Sequence, residues 1–166
     1  SGSYNTAIGP FTLLANTSGS NNVAIGNAAL TTNTFGLNNV AFGYDALYAN
    51  TTGNNNTAIG FEALYAGGSG SNNIGIGNCA MKYLTNGSGN FAAGPAALYC
   101  NTTGCYNIAI GCGALLTNYG SANTAFSAEI RRSHISASSQ PPPSATPLTA
   151  ATTGFGNRSI SPSSDR

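Results

Sequence analysis

Charge is what this chain has least of. Only 5% of its 166 residues are Asp, Glu, Lys or Arg, against about 25% in an ordinary globular domain. The formal net charge is +1, which leaves no electrostatic footprint for nucleic acid or a charged membrane surface. Tryptophan is absent and histidine occurs once, at His134. No Cys/His spacing resembles a zinc site, and no cofactor is expected. No stretch approaches the roughly 20 apolar residues of a membrane-crossing helix, and no signal-peptide pattern is read at the start. Neither a nucleic-acid partner nor membrane insertion is expected.

What the chain has instead is repetition. The glycine closing Asn-x-Ala-Ile-Gly falls at Gly9, Gly26, Gly43, Gly60, Gly77, Gly94 and Gly111, in steps of 17 residues without slip. Four residues before each glycine stands Asn5, Asn22, Asn39, Asn56, Asn73, Asn90 or Asn107. Four residues after it stands Leu13, Leu30, Leu47, Leu64, Met81, Leu98 or Leu115. Helical repeats run to about 33 residues or more, so this period is too short for them. It suffices for two short strands and two turns, a unit that cannot close a core alone. Stacked, such units form an all-β parallel β-solenoid, or β-roll, with each residue about 4.8 Å above its copy in the previous coil. A disordered low-complexity chain is the alternative, but it would have no reason to keep its apolar columns in register.

The asparagine column reads as an internal ladder, because a carboxamide both donates and accepts. Strand alternation puts Thr57 and Ile59 on one face, Asn56 and Ala58 on the other. The larger apolar column, Ile8, Ile25, Phe42, Ile59, Ile76 and Ile110, is assigned to the core with the leucine column. In the sixth coil Ala93 stands in that column, with Phe91 restoring volume on the same face. The column of Ala7, Ala24, Ala41, Ala58, Gly75, Ala92 and Ala109 is always small, so something presses close against it. That is either the opposite wall or another chain. The second turn, Asn-Thr-Ser/Phe/Thr-Gly, ends at Gly19, Gly36, Gly53 and Gly104.

The repeats occupy residues 1–127, with one residue missing between Ala114 and Gly120. An irregular Pro/Ser-rich segment follows over 128–147, including Pro141-Pro142-Pro143. A degenerate final repeat and tail occupy 148–166, where Leu148 to Ile160 matches Leu47 to Ile59. The first residues are already mid-repeat, with Gly2 in the turn-glycine column, which reads as a processed chain or a piece of a longer one. Of the four cysteines, Cys100 and Cys105 flank Asn-Thr-Thr-Gly and are candidates to bridge that turn. Cys79 and Cys112 lie about 9 Å apart along the stack, beyond disulfide reach.

The Asn-x-Ala-Ile-Gly core resembles the head repeats of trimeric autotransporter adhesins, which carry a similar motif on a shorter period. Those heads are left-handed parallel β-rolls of three chains. The longer unit, with Ala-Leu-Tyr and Asn-Thr-Thr-Gly, is similar to repeats of bacterial surface proteins and phage tail-fibre shafts. The resemblance covers 1–127 and 148–161. It implies an extracellular, cell-surface or virion fibre with a host-surface or glycan ligand.

The function expected is a structural or adhesive fibre segment without chemistry of its own, not an enzyme. Self-association is expected as a lateral trimer, by end-to-end stacking, or by both. Two other readings are weighed. Asp45 and Glu62 share a column in neighbouring coils, about 5 Å apart, a separation used by retaining glycosidases. No other acid or base is read near them, so two solvated carboxylates are the simpler account of the pair. An ice-binding solenoid needs a flat threonine array, and the column Thr6, Val23, Val40, Thr57, Ile74, Phe91, Ile108 is too mixed.

Overall fold

The computed structural model describes residues 2–126. The expected irregular segment 128–147 and final repeat 148–166 lie outside the described residues. Those described form an all-β solenoid with one three-residue strand per coil: β1 (Thr6–Ile8), β2 (Val23–Ile25), β3 (Val40–Phe42), β4 (Thr57–Ile59), β5 (Ile74–Ile76), β6 (Phe91–Ala93), β7 (Ile108–Ile110) and β8 (Thr124–Phe126). Each strand pairs in parallel with the next in chain order, giving one eight-stranded sheet. The register sets each residue on its copy 17 positions away, as Ala41 on Ala58. At the last step Ile108 pairs with Thr124, 16 positions on. The missing residue is therefore absorbed in the corner, and the ladder continues.

The second wall is not the second strand that the period allowed for. It is a chain of β-turns. In the third coil, the amides of Ala46, Tyr48 and Asn50 donate to the carbonyls of Gly43, Asp45 and Leu47, three residues back. Asp45 and Leu47 hold φ of 53° and 52°, and the same two positions repeat this in other coils. Such left-handed φ costs an L-residue roughly 1–2 kcal/mol. The other amides of the wall bond between coils. Asp45 donates back to Asn27 at 3.0 Å, and Leu47 donates forward to Ala63 at 3.0 Å. The backbone is thus satisfied without a strand. At the corner that precedes this wall in the fourth coil, Gly60 has φ 132°, and a Cβ there would lie 2.6 Å from the Gly77 carbonyl oxygen. Both facts exclude any side chain.

The strand phase is opposite to the one expected from side-chain size. Ala24, Ala41, Ala58, Ala92 and Ala109 are fully buried, while Ile8, Phe42, Ile59, Ile76 and Ile110 are exposed and Ile25 is half-buried. The isoleucine column is therefore not core. Phe91 and Ala93 flank a buried Ala92, so their volumes do not fill the interior either. The lumen is too thin for two large residues per level. A Cβ built on Gly75 would sit 3.3 Å from Leu64 Cγ and 3.4 Å from Met81 Cε. The opposite wall is what presses on the small column. The core consists of that column, the leucine column, and a neighbouring run of Ala29, Ala46, Ala63, Ala80 and Ala97. Leu30, Leu47, Leu64, Met81 and Leu98 are buried, and Leu13 and Leu115 pack on them partly buried.

The asparagine ladder lies inside, as its chemistry requires. Asn22, Asn39, Asn56, Asn73, Asn90 and Asn107 are buried, and Asn5 in the first coil is half-buried. Each Oδ1 accepts the backbone amide of the next asparagine, as Asn22 does from Asn39 at 2.9 Å. Each Nδ2 reaches a turn-glycine carbonyl, as Asn39 does to Gly53 at 2.9 Å. A second asparagine ladder, read from the sequence only as turn chemistry, runs through Asn16, Asn33 and Asn50, linked at 3.0 and 2.8 Å. It breaks at Gly67 and Leu84, which leaves the buried Asn50 Oδ1 without a partner.

Candidate functional site

Two surfaces of the described residues present chemistry: the outer side of the turn wall and the outer side of the strand sheet. The turn wall carries Asp45 and Glu62, one coil apart, both on left-handed backbone. Their side chains lie on the outer side of the wall, while the neighbouring Ala46–Leu47 and Ala63–Leu64 pairs are buried. Burial, and next the Glu62 charge, raise the Asp45 carboxyl above its ordinary range.

Glu62 is not free to work with Asp45. Its Oε2 lies 2.7 Å from Lys82 Nζ, and both side chains are largely covered. The Cys79 thiol donates to the same oxygen at 3.5 Å. The reading that no acid or base lies near the pair is therefore corrected. Lys82 stands one coil and three residues beyond Glu62, a spacing that brings it alongside once the wall is known to be turns. Its ammonium also lies 5.8 Å from the Tyr65 ring and 5.7 Å from the Tyr83 ring, within cation–π range. Burial, and then the hydrogen bond to Glu62, push the Cys79 thiol up. It is held as a thiol rather than as the nucleophilic thiolate. Glu62 likewise holds the Lys82 ammonium above its ordinary value.

The expected bridge between Cys100 and Cys105 is not formed, and all four cysteines are free thiols. Cys105 Sγ instead accepts the Ser88 amide at 3.3 Å. It continues a column of corner hydroxyls, in which Ser71 Oγ accepts from Asn54 and Ser88 Oγ from Ser71, each at 3.0 Å.

The outer side of the sheet has the plainer character. Two columns face solvent along its whole length. One is the isoleucine column; the other is Thr6, Val23, Val40, Thr57, Ile74, Phe91, Ile108 and Thr124. Phe42 is 54% exposed and Ile59, Ile76 and Ile110 are each close to 40%. The strip is about 34 Å long, from seven steps of about 4.8 Å, and carries no charged residue. The sequence signal for it was present: every second strand residue is large while its neighbour is alanine. No family model, curated protein or solved structure matches the chain.

Proposed function

We propose that this chain is a structural or adhesive segment of an extracellular fibre, on a cell surface or a virion, and that copies associate laterally through the outer face of the sheet. The observation that supports this is the uncharged, mainly apolar strip of two in-register columns, broken only by the hydroxyls of Thr6, Thr57 and Thr124. Monomeric proteins rarely expose larger continuous patches than about 300–600 Å², and this one runs the length of the described solenoid. Its period selects its occupant: a surface repeating at about 4.8 Å is matched step for step by a second copy of itself. Three chains around a common axis is the arrangement suggested by the resemblance to adhesin heads. A segment without chemistry of its own agrees with the locked Glu62 and the protonated Cys79.

The test is the particle mass of the full chain beside an Ile59→Lys/Ile76→Lys variant. Both residues point outward, so the variant should keep the wild-type circular dichroism and melting behaviour of a folded solenoid. Wild type is expected to sediment as an oligomer and the variant as a monomer. A wild-type monomer at every concentration would refute the proposal.

A further inference from the structure

The outer side of the turn wall is built from three columns, at one, two and five residues beyond each strand-closing glycine. In most coils at least one of these residues is large. The second coil alone has small ones at all three: Asn27, Ala28 and Thr31. The first coil, on one side, supplies Phe11 and Leu14, and the third coil, on the other, supplies Tyr44, Asp45 and Tyr48. The result is a cleft of about 400 Å³ lined by these residues, with Tyr65 of the fourth coil reaching its edge, at the small end of the range for ligand sites. Its walls stand two coil steps apart, about 9.6 Å.

The wall of the third coil has a defined orientation. Tyr44 stacks on Phe61 at 5.4 Å with 12° between planes, and Tyr48 on Tyr65 at 5.2 Å with 6°. Each tyrosine therefore turns one face to the fourth coil and the other toward the cleft. Both ring stacks end at the third coil, since the second coil has Asn27 and Thr31 in these columns and the first has Pro10 and Leu14, and a ligand ring of similar thickness can occupy the vacant level. The Asn27 carboxamide and the Asp45 carboxylate border that level, and neither has a hydrogen-bond or ion-pair partner among the described residues. The Thr31 hydroxyl has one proton to share between the Ala28 and Phe11 carbonyls, at 2.7 and 3.0 Å, and its oxygen can still accept.

We propose that this cleft binds a neutral saccharide, one ring of which lies at the second coil against the Tyr44 and Tyr48 faces while Asp45 and Asn27 take its hydroxyls. Flat aromatic faces suit the C–H face of a pyranose, and a carboxylate beside a carboxamide suits neighbouring hydroxyls, which donate to one and exchange with the other. Charge narrows the class. Lys82 is the only Lys or Arg among the described residues, and it is paired with Glu62. Among the described residues no cation is left to receive a phosphate, uronate or sialate, and Asp45 repels them. The proposal names a ligand for the adhesive part of the function proposed above. It concerns a different wall from the assembly face, so each can fail without the other.

Thr31→Tyr tests the cleft directly. Tyrosine is the native residue at that position in Tyr48, Tyr65 and Tyr99, so the variant should fold and fill the vacant level with the protein's own ring. Full chains are titrated calorimetrically with neutral tri- and tetrasaccharides of β-1,4-glucose, β-1,4-N-acetylglucosamine and α-1,4-glucose. The same chains are titrated with a galacturonate trimer and with choline chloride. Wild type is expected to bind at least one neutral probe, with Thr31→Tyr at least tenfold weaker and Asp45→Asn weaker as well. A Tyr99→Leu control, five coils along the stack from Phe11, should bind as wild type. The proposal is overturned by no neutral binding at millimolar probe, by binding indifferent to Thr31→Tyr, or by binding of choline or galacturonate alone. Particle mass measured on the same samples keeps the assembly result separate.

Discussion

Replacing Asn56 with aspartate changes one atom of the buried ladder, and its effect should depend on pH. Asn56 is 1% exposed. Its Oδ1 accepts the Asn73 amide at 3.0 Å and Asn73 Nδ2 at 3.2 Å, and its Nδ2 donates to the Gly70 carbonyl at 2.7 Å. Aspartate keeps both accepted bonds. Ionised, it sets a second oxygen against the Gly70 carbonyl with no cation in reach. Protonated, it donates there and restores the bond. The folded state therefore favours the protonated form, and its pKa rises above the unfolded value of about 3.9. The folded chain then holds a proton that the unfolded chain has released. Stability is intact below the unfolded pKa and falls as pH rises toward the folded one. If the folded pKa reaches 7, the loss between pH 4 and pH 7 is about 3 kcal/mol, because at pH 7 the folded group is still half protonated and each unit is worth about 1.36 kcal/mol. That is a large share of the roughly 5–15 kcal/mol that holds a domain together.

Asn56→Ser provides the contrast. Serine is too short to reach both neighbours, and it leaves the Gly70 carbonyl and two Asn73 donors short of partners. Each such group costs about 1–3 kcal/mol, so the loss is several kcal/mol and does not vary with pH. The two variants should cross: aspartate is the more stable at pH 4, and its advantage is lost by pH 7. Thermal and urea melts of the three proteins from pH 4 to pH 8 decide it. The background is favourable, because the whole chain has only four Asp and Glu residues. An Asn56→Asp melting curve that parallels wild type across this range would refute the buried-ladder argument.

Two further predictions follow from the outward strand phase and the strained turn wall. Ala58→Leu, in a lumen where the opposite Leu64 already fills the level, should lose at least about 1–3 kcal/mol by overpacking. Ile59→Thr, one residue on but facing out, should stay within about 1 kcal/mol in a monomeric preparation; chemical denaturation measures both, and the reverse order would restore the inward isoleucine column. Asp45→Asn should stabilise slightly at pH 7 and not at pH 3. Its carboxyl is raised above its ordinary range by burial and then by Glu62, so its ionised form disfavours the fold as pH rises through that range, and asparagine also suits its left-handed φ of 53°. Melting temperatures at the two pH values that shift equally would count against it.

The period was legible because a stacked coil tolerates no slip. A residue inserted within a strand would move its side chains off their copies, whereas the one missing before Gly120 falls in a corner and leaves Thr124 on Ile108, so the 17-residue spacing and the asparagine ladder could be read directly. Strand phase was not legible from size alone. The rule that large apolar residues go inward assumes a lumen with room for them, and the separation of the two walls is set by the turn wall. That wall was illegible for a physical reason. Leu47, Leu64 and Leu98 adopt φ near 50°, a conformation that leucine does not advertise and that only the stack imposes. One hint was available in the Asn-Asn doublets. Asn21, Asn38, Asn55 and Asn72 take left-handed φ, which asparagine tolerates, and each is followed by the ladder asparagine. The second ladder was hidden because Asn33 and Asn50 sit in Asn-Thr-x-Gly, a sequence that turn chemistry explains without burial.

The thin lumen also bears on how strong the proposed assembly would be. Each coil can bury one leucine and a few alanines, so its second large apolar residue is directed to solvent. Fully burying an isoleucine or valine is worth about 1.5–3 kcal/mol, so covering these partly exposed columns should recover about 1 kcal/mol per residue, on the order of 10 kcal/mol per chain. Losing free translation and rotation costs an estimated 4–15 kcal/mol per association. The two are of similar size, but they scale differently. The gain grows with every coil, whereas the cost falls once per chain joined. A few coils would not hold together, while an array of the length described lies near the balance and each added coil strengthens it. For that reason particle mass should be followed across a dilution series, since a chain near this balance reveals its self-association most clearly through concentration.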